Sequence, residues 1–181
     1  MTNDEKIVDG KEIRAHDMPR QVDWINAKLI WNTPVDLDLH AFVKLTNGDA
    51  RHVYFGGERK NEFVSLDLGC GVGYVTDDPT RNEESMHCRR LAEIERILFA
   101  TMRIGEEERF SDYHGRMEFT TNNPDQPTIC VNMVSSESKD WCVIAMLDNC
   151  NSRGPRIFPI NRVMSSEPDI NDPMWLIIRN N

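Results

Sequence analysis

Apolar and polar residues alternate along most of this chain, and a period of two predicts β-strands rather than helices. The segment INAKLIW, residues 25–31, places Ile25, Ala27, Leu29 and Trp31 on one face. The segment LDLHAFVKL, residues 37–45, alternates as regularly. One of its faces is apolar and comprises Leu37, Leu39, Ala41, Val43 and Leu45, and the other carries Asp38, His40 and Phe42.

A hairpin follows this second segment. Asn47-Gly48-Asp49 supplies the positive φ angles that a tight turn between antiparallel strands requires, and HVYF at 52–55 is the predicted returning strand. Further strand-like segments are separated by Gly, Pro, Asn and Asp; they are EFVSLDL, RILFATMRI, RMEFTT, TICVNMV, WCVIAML and RIFPINRV. Only residues 82–97, NEESMHCRRLAEIERI, allow a helical turn or two. The chain is therefore predicted to be all-β, an antiparallel sandwich of two sheets with short helical turns.

The chain has 181 residues, a length that suits one domain with its own core. Residues 1–22 are polar and are expected to form a flexible lead-in, and residues 23–165 are expected to form the sandwich domain. Residues 166–181 contain a short apolar run, MWLII, and are expected to pack on the domain or on a partner.

Charge and cysteine content narrow the class of protein. The net charge of −9 argues against a surface that neutralises nucleic-acid phosphates, and it favours solubility or attraction for cations. The five cysteines form no CxxC pair, so their spacing predicts neither a disulfide framework nor a zinc site. The N-terminus has no apolar core of a signal peptide, and no segment is long and apolar enough for a membrane helix. A cytoplasmic location without membrane insertion is expected.

The first chemically unusual segment is NTPVDLDLHAF, residues 32–42. Its period of two places Asp36, Asp38 and His40 on one face of the predicted strand. Neighbouring carboxylates repel one another unless a positive charge lies between them, so a bound metal ion is one interpretation. A solvated outer face is the other. His40 fits a packed or solvent-facing histidine better than a calcium ligand, because calcium prefers oxygen.

The second segment is residues 67–84, DLGCGVGYVTDDPTRNEE. Its glycines allow tight turns that expose carbonyl oxygens. Its oxygen donors are Asp67, Asp77, Asp78, Asn82, Glu83 and Glu84. Carboxylates, an amide and a flexible backbone are typical of calcium sites, with six to eight oxygen ligands, so we expect one or two calcium ions here. An acidic solvated loop is the alternative. The EF-hand spacing of Gly and Glu is missing after Asp36, and no helix follows the glycines to favour a nucleotide.

These residues and several later segments together resemble the TerD family of tellurium-resistance and stress proteins. The resemblance runs from LIWNTPVDLDLHAF through VYFGG, the acidic loop ending in NEESM, IERILFATMRI and RFSDYHGRMEF to DWCVIAMLDN and GPRIFPINRV, about residues 24–163. It implies a calcium-binding β-sandwich in the cytoplasm of a bacterium. It also implies action beside sister proteins of one stress operon.

Carried over by position, the family's paired strand acids correspond to Asp36 and Asp38, and the acid that opens its loop corresponds to Asp67. The closing triplet corresponds to Asn82, Glu83 and Glu84. The chain departs from the family in two ways: YVTDDPT lengthens the loop, so that Asp77 or Asp78 is expected to replace a ligand, and Asn82 stands where an acid is usual. One bound ion fits this pattern better than two.

Three functions are compatible with these features. The leading hypothesis is a non-catalytic interaction module whose surface is ordered by calcium, with homo-oligomers possible. The alternative is a metal-dependent hydrolase or transferase in which Asp36 and Asp38 hold the cation, although the sequence has no GxSxG or HExxH motif. A third is a calcium-dependent lectin, suggested by Tyr54 and Tyr74 beside the acidic segments.

Overall fold

The computed structural model describes residues 5–8, 11–33, 35–67, 82–104 and 109–180. The strands are β1 (Glu5–Val8), β2 (Lys11–Arg14), β3 (His16–Asp17), β4 (Trp24–Trp31), β5 (Asp36–Leu45), β6 (Ala50–Val53), β7 (Val64–Asp67), β8 (Asn82–Arg89), β9 (Ile94–Ile104), β10 (Arg116–Thr121), β11 (Ile129–Asn132), β12 (Trp141–Asp148) and β13 (Arg156–Met164). One α-helix, α1 (Met174–Asn180), follows, and short 3-10 turns span Leu91–Glu93 and Phe110–Tyr113.

The strands form a sandwich of two antiparallel sheets, which confirms the predicted fold class. A five-stranded sheet has the order β11-β10-β4-β8-β7, and a six-stranded sheet has the order β3-β13-β12-β9-β5-β6. β1 and β2 form a separate two-stranded ribbon. Because β5 belongs to the six-stranded sheet and β8 to the five-stranded sheet, Asp36 and Asp38 lie in one layer and Asn82, Glu83 and Glu84 in the other.

The main core lies between the two sheets. The apolar faces predicted for β4 and β5 both point into it, and Ile25, Ala27, Leu37 and Leu39 are fully buried there. The turn between β5 and β6 is also as predicted, with Gly48 at a φ of 93°. The alternation therefore predicts the inward side of both strands correctly.

A second apolar cluster covers the outer face of the six-stranded sheet. It contains the alternate residues of the sheet, among them Phe42, Trp141 and Phe158, and the C-terminal residues Ile170, Trp175 and Ile178. Trp175 has no exposed surface, and its indole N–H donates to the carbonyl of Asp169 at 2.7 Å. The C-terminal segment thus packs on the same sheet that carries Asp36 and Asp38.

Two regions differ in detail from what the pattern suggests. Residues 1–22, expected as a flexible lead-in, contribute strands β1–β3, and Met18 and Val22 are buried in the main core. Residues 82–97, which allow a helical turn, form β8, one 3-10 turn and the start of β9. Within the described ranges, no helix has the length and apolarity needed to cross a membrane.

Candidate functional site

The candidate site lies where β5 and β8 approach each other across the sandwich. β6 pairs with β5 only from Ala41 to Lys44, so the first half of β5 has no strand neighbour on that side among the described residues. The amide of Leu39 donates instead to Oε2 of Glu84 at 2.7 Å. A side chain of one sheet thereby takes the place of a missing strand partner in the other.

Glu84 reaches this position because β8 alternates strictly. Asn82, Glu84, Met86 and Cys88 are buried, and the residues between them are partly exposed. Glu84 therefore points towards the interior, where only 9% of its surface remains exposed. A buried carboxylate with one backbone donor is costly unless further donors or a cation complete its shell.

The electrostatics of the site show that this compensation is incomplete. Burial raises the pKa of Glu84 to about 7, against the opposing effect of the Leu39 N–H, and the charges of Asp38 and Asp36 raise it further. Burial, followed by the charge of Asp36, also raises the pKa of Asp38. Among the described residues, no positive group contributes to the shift of either pKa. The three acids thus lie close enough to repel one another.

The other candidate residues are distributed as follows. Asn82 shares the inward face of β8, and its Nδ2 donates to the carbonyl of Thr33 at 2.7 Å, so its amide oxygen is the atom suited to a cation. Glu83 lies on the opposite face and forms an ion pair with Lys28 at 3.3 Å. Asp67 is exposed at the end of β7, opposite Ser85.

Asp77 and Asp78 lie outside the described residues. Within the described ranges, no three His, Cys, Asp or Glu side chains form a group that could hold a metal ion. Asp36, Asp38 and Glu84 are therefore electrostatic neighbours rather than a closed ligand shell. Their chemistry still suits calcium, since all the donors are hard oxygens and no described cationic side chain pairs with the buried Glu84.

A pair of histidines lies on the outer face of the six-stranded sheet, His40 on β5 and His52 on β6. Nδ1 of His40 and Nε2 of His52 are 2.9 Å apart, and Nδ1 of His52 lies 3.5 Å from Oε1 of Glu167. Burial, and then the neighbouring His52, lowers the pKa of His40 to about 3. Burial lowers the pKa of His52 to about 4. Both rings are therefore neutral at physiological pH.

The sequence patterns do not identify His52 and Glu167 as part of this region. The position of His52 could be inferred from the hairpin, because the Asn47–Asp49 turn pairs β6 with β5 and brings His52 opposite Phe42. Glu167 gives no such signal, since it lies between β13 and α1 in a segment without periodicity.

No protein-family model matches the chain, and no curated protein matches it either. Among solved structures, the chain is similar to one described as the crystal structure of the unknown function protein SAV2460. The TM-score is 0.60 at 12% sequence identity, over 82% of this chain and 94% of the other. A likeness at this identity concerns the fold alone.

Proposed function

We propose that this protein is a calcium-binding, non-catalytic interaction module. The observation that carries the proposal is Glu84, a buried carboxyl group whose neighbours are two further acids and whose pKa rises to about 7 with no cationic partner among the described residues. A divalent cation would supply the missing positive charge and allow all three acids to remain ionised. Oxygen donors alone favour calcium over zinc.

Each acid has a defined role in this proposal. Asp36 and Asp38 would bind the ion from the six-stranded sheet, and Glu84 would bind it from the five-stranded sheet while its Oε2 keeps the Leu39 N–H. Asn82, Asp67, Asp77 and Asp78 remain candidates for the rest of the shell. A cation held between two sheets stabilises the native state by mass action, so calcium would control the ordered population of this edge.

The wider role follows from the resemblance to the TerD family. We propose a bacterial, cytoplasmic stress-response or tellurium-resistance protein that acts with sister proteins of its operon or with a second copy of itself. Calcium would act by ordering a surface that these partners recognise rather than by activating a substrate.

Calorimetric titration of chelator-stripped protein with calcium tests the proposal. Glu84→Gln should weaken calcium binding about tenfold or more, because it removes a charge from the ligand set. Glu83→Gln is the matched control, since Glu83 adjoins Glu84 but faces away and pairs with Lys28. Sedimentation velocity on the same samples shows whether association follows calcium. Equal calcium affinities for Glu84→Gln and wild type would contradict the proposed site.

A further inference from the structure

Strand β11 is the outermost strand of the five-stranded sheet, and one of its edges has no strand neighbour among the described residues. On the other side it pairs with β10, from Arg116 opposite Asn132 to Phe119 opposite Ile129. Exposed and buried side chains alternate strictly beyond the strand itself, over residues 128–135. We refer to residues 128–135 as the β11 edge.

Backbone hydrogen bonds show which groups of the β11 edge face outwards. One residue beyond the end of the β10–β11 pairing, the N–H of Met133 donates to the carbonyl of Gly115 at 2.8 Å. The odd-numbered residues therefore bond to the body of the sheet. Alternate residues of an antiparallel strand direct their N–H and C=O groups to opposite sides. The backbone groups of Cys130 and Asn132 consequently point away from β10.

The outward side of the β11 edge lacks the features that usually protect an edge strand. Charged side chains, proline or bulges commonly prevent such backbone groups from pairing with another chain. The sequence of the β11 edge, TICVNMVS, contains neither a charge nor a proline. Val134 is 61% exposed, the most of any large apolar residue in the described ranges. The outer edge of β7, in contrast, is covered, because the N–H of Leu66 donates to the carbonyl of Arg59 at 2.8 Å.

The two ends of the β11 edge limit how far a second strand can pair with it. Pro127 comes directly before it and has no N–H to donate. At the other end, the N–H of Val134 donates to Oδ1 of Asn161, in the six-stranded sheet, at 3.2 Å. The midpoint between these limits is Val131.

We propose that the β11 edge pairs with the same edge of a second copy of the chain, antiparallel about a two-fold axis at Val131. Cys130 of each copy then lies opposite Asn132 of the other, and the two residues exchange N–H···O=C hydrogen bonds. Val134 lies opposite Thr128 of the second copy, which covers its exposed side chain. The inference rests on the proposed interaction-module function and specifies its partner, but it does not require calcium.

The charges beside the β11 edge are complementary in this arrangement. Glu118 of β10 lies opposite Cys130, and Arg116 lies opposite Asn132. After pairing, a row of side chains on the outer face begins with Glu118 of one copy and ends with Arg116 of the other. The two-fold axis repeats this row in reverse, so opposite charges flank the interface on both sides. This self-complementarity favours a second copy over a foreign strand.

Sedimentation velocity across a series of protein concentrations tests the pairing, with reductant present and with either chelator or calcium. Wild type should form dimers as its concentration rises, with the weak affinity typical of a small interface. Cys130→Lys/Asn132→Lys places like charges directly opposite each other and should abolish this association. Cys130→Lys/Asn132→Asp is the matched control, because it places opposite charges there and should retain association. Both positions are exposed, so both variants should fold.

The outcomes separate this inference from the calcium proposal. Dimers of a wild type that binds no calcium overturn the calcium site alone. A wild type that binds calcium but stays monomeric leaves the β11 edge to a strand of another partner and overturns self-pairing alone. Association that survives in the double-lysine variant, or is lost in both variants, overturns the register at Val131. If the variants do not fold, amide exchange in wild type decides. Protection of the Cys130 and Asn132 N–H groups must rise with protein concentration, and constant protection refutes the pairing.

Discussion

Glu84 is the residue on which the chemistry of the acidic edge depends. Folding raises its pKa from an ordinary value of 4.5 to about 7. Between these pH values the native carboxyl group keeps a proton that the unfolded chain releases. The free energy of unfolding therefore falls as the pH rises from 4.5 to 7, and above pH 7 a cost on the order of 3 kcal/mol persists.

The fall in the free energy of unfolding with rising pH leads to a prediction for the calcium-free protein. Glu84→Gln removes the titration but keeps an oxygen that can accept the Leu39 N–H. The variant should therefore be more stable than wild type at pH 7.5, and the two should converge towards pH 4.5. Urea unfolding across this pH range measures the difference. Glu83→Gln should retain the wild-type slope, and a wild-type slope in Glu84→Gln would contradict the account.

The sequence predicts several of these residues but not how they are combined. The alternation around Asp36 and Asp38 shows that both side chains project from the same face of a strand. It cannot show that Glu84 comes from the opposite sheet, because that depends on how β5 and β8 are layered. Composition alone also groups Glu83 with Glu84, whereas the alternation of β8 places the two side chains on opposite faces.

At the scale of elements, strand β5 serves two functions at once. Its inward face belongs to the main core, and its outward face carries the acids at one end and Phe42 under the C-terminal segment at the other. This explains why its apolar face is predicted correctly while its other face resembles a solvated surface. The cover over Phe42 comes from residues more than 120 positions later in the chain, which no local pattern reveals.

Helix α1 provides a prediction at this scale. Trp175 is fully buried in the outer cluster, whereas its neighbour Leu176 is 36% exposed. Trp175→Ala should lower the free energy of unfolding by about 3–5 kcal/mol, as expected for removal of a buried tryptophan. Leu176→Ala, the matched control in the same helix, should change it by roughly 0.5 kcal/mol or less. Denaturant unfolding measures both, and equal effects would show that the helix does not anchor through Trp175.

The short helix and the short strands cannot be predicted from the periodicity of the sequence. A helix of seven residues shows barely two turns of periodicity, and its stability comes from packing rather than propensity. The same holds for β1–β3, whose strands have two to four residues each. The long strands, in contrast, repeat their pattern often enough to specify both fold class and inward face.

At the scale of the whole molecule, the negative charge of the chain favours the proposed binding of a cation. The net charge of −9 attracts cations to the surface. The Leu39–Glu84 hydrogen bond ties the two sheets together at one edge, where three acids repel. A bound calcium ion would convert this repulsion into a link between the layers.

The proposed calcium site is tested most directly by thermal unfolding of chelator-stripped protein at pH 7.5, with calcium and, separately, magnesium added. At calcium a hundredfold above its dissociation constant, the native state should gain about 2.7 kcal/mol, which raises the melting temperature by several degrees. Calcium should raise the melting temperature more than magnesium does, and Asp36→Asn, Asp38→Asn and Glu84→Gln should each diminish the rise. A melting temperature unaffected by calcium, or a rise that survives all three substitutions, would contradict a calcium site at this edge.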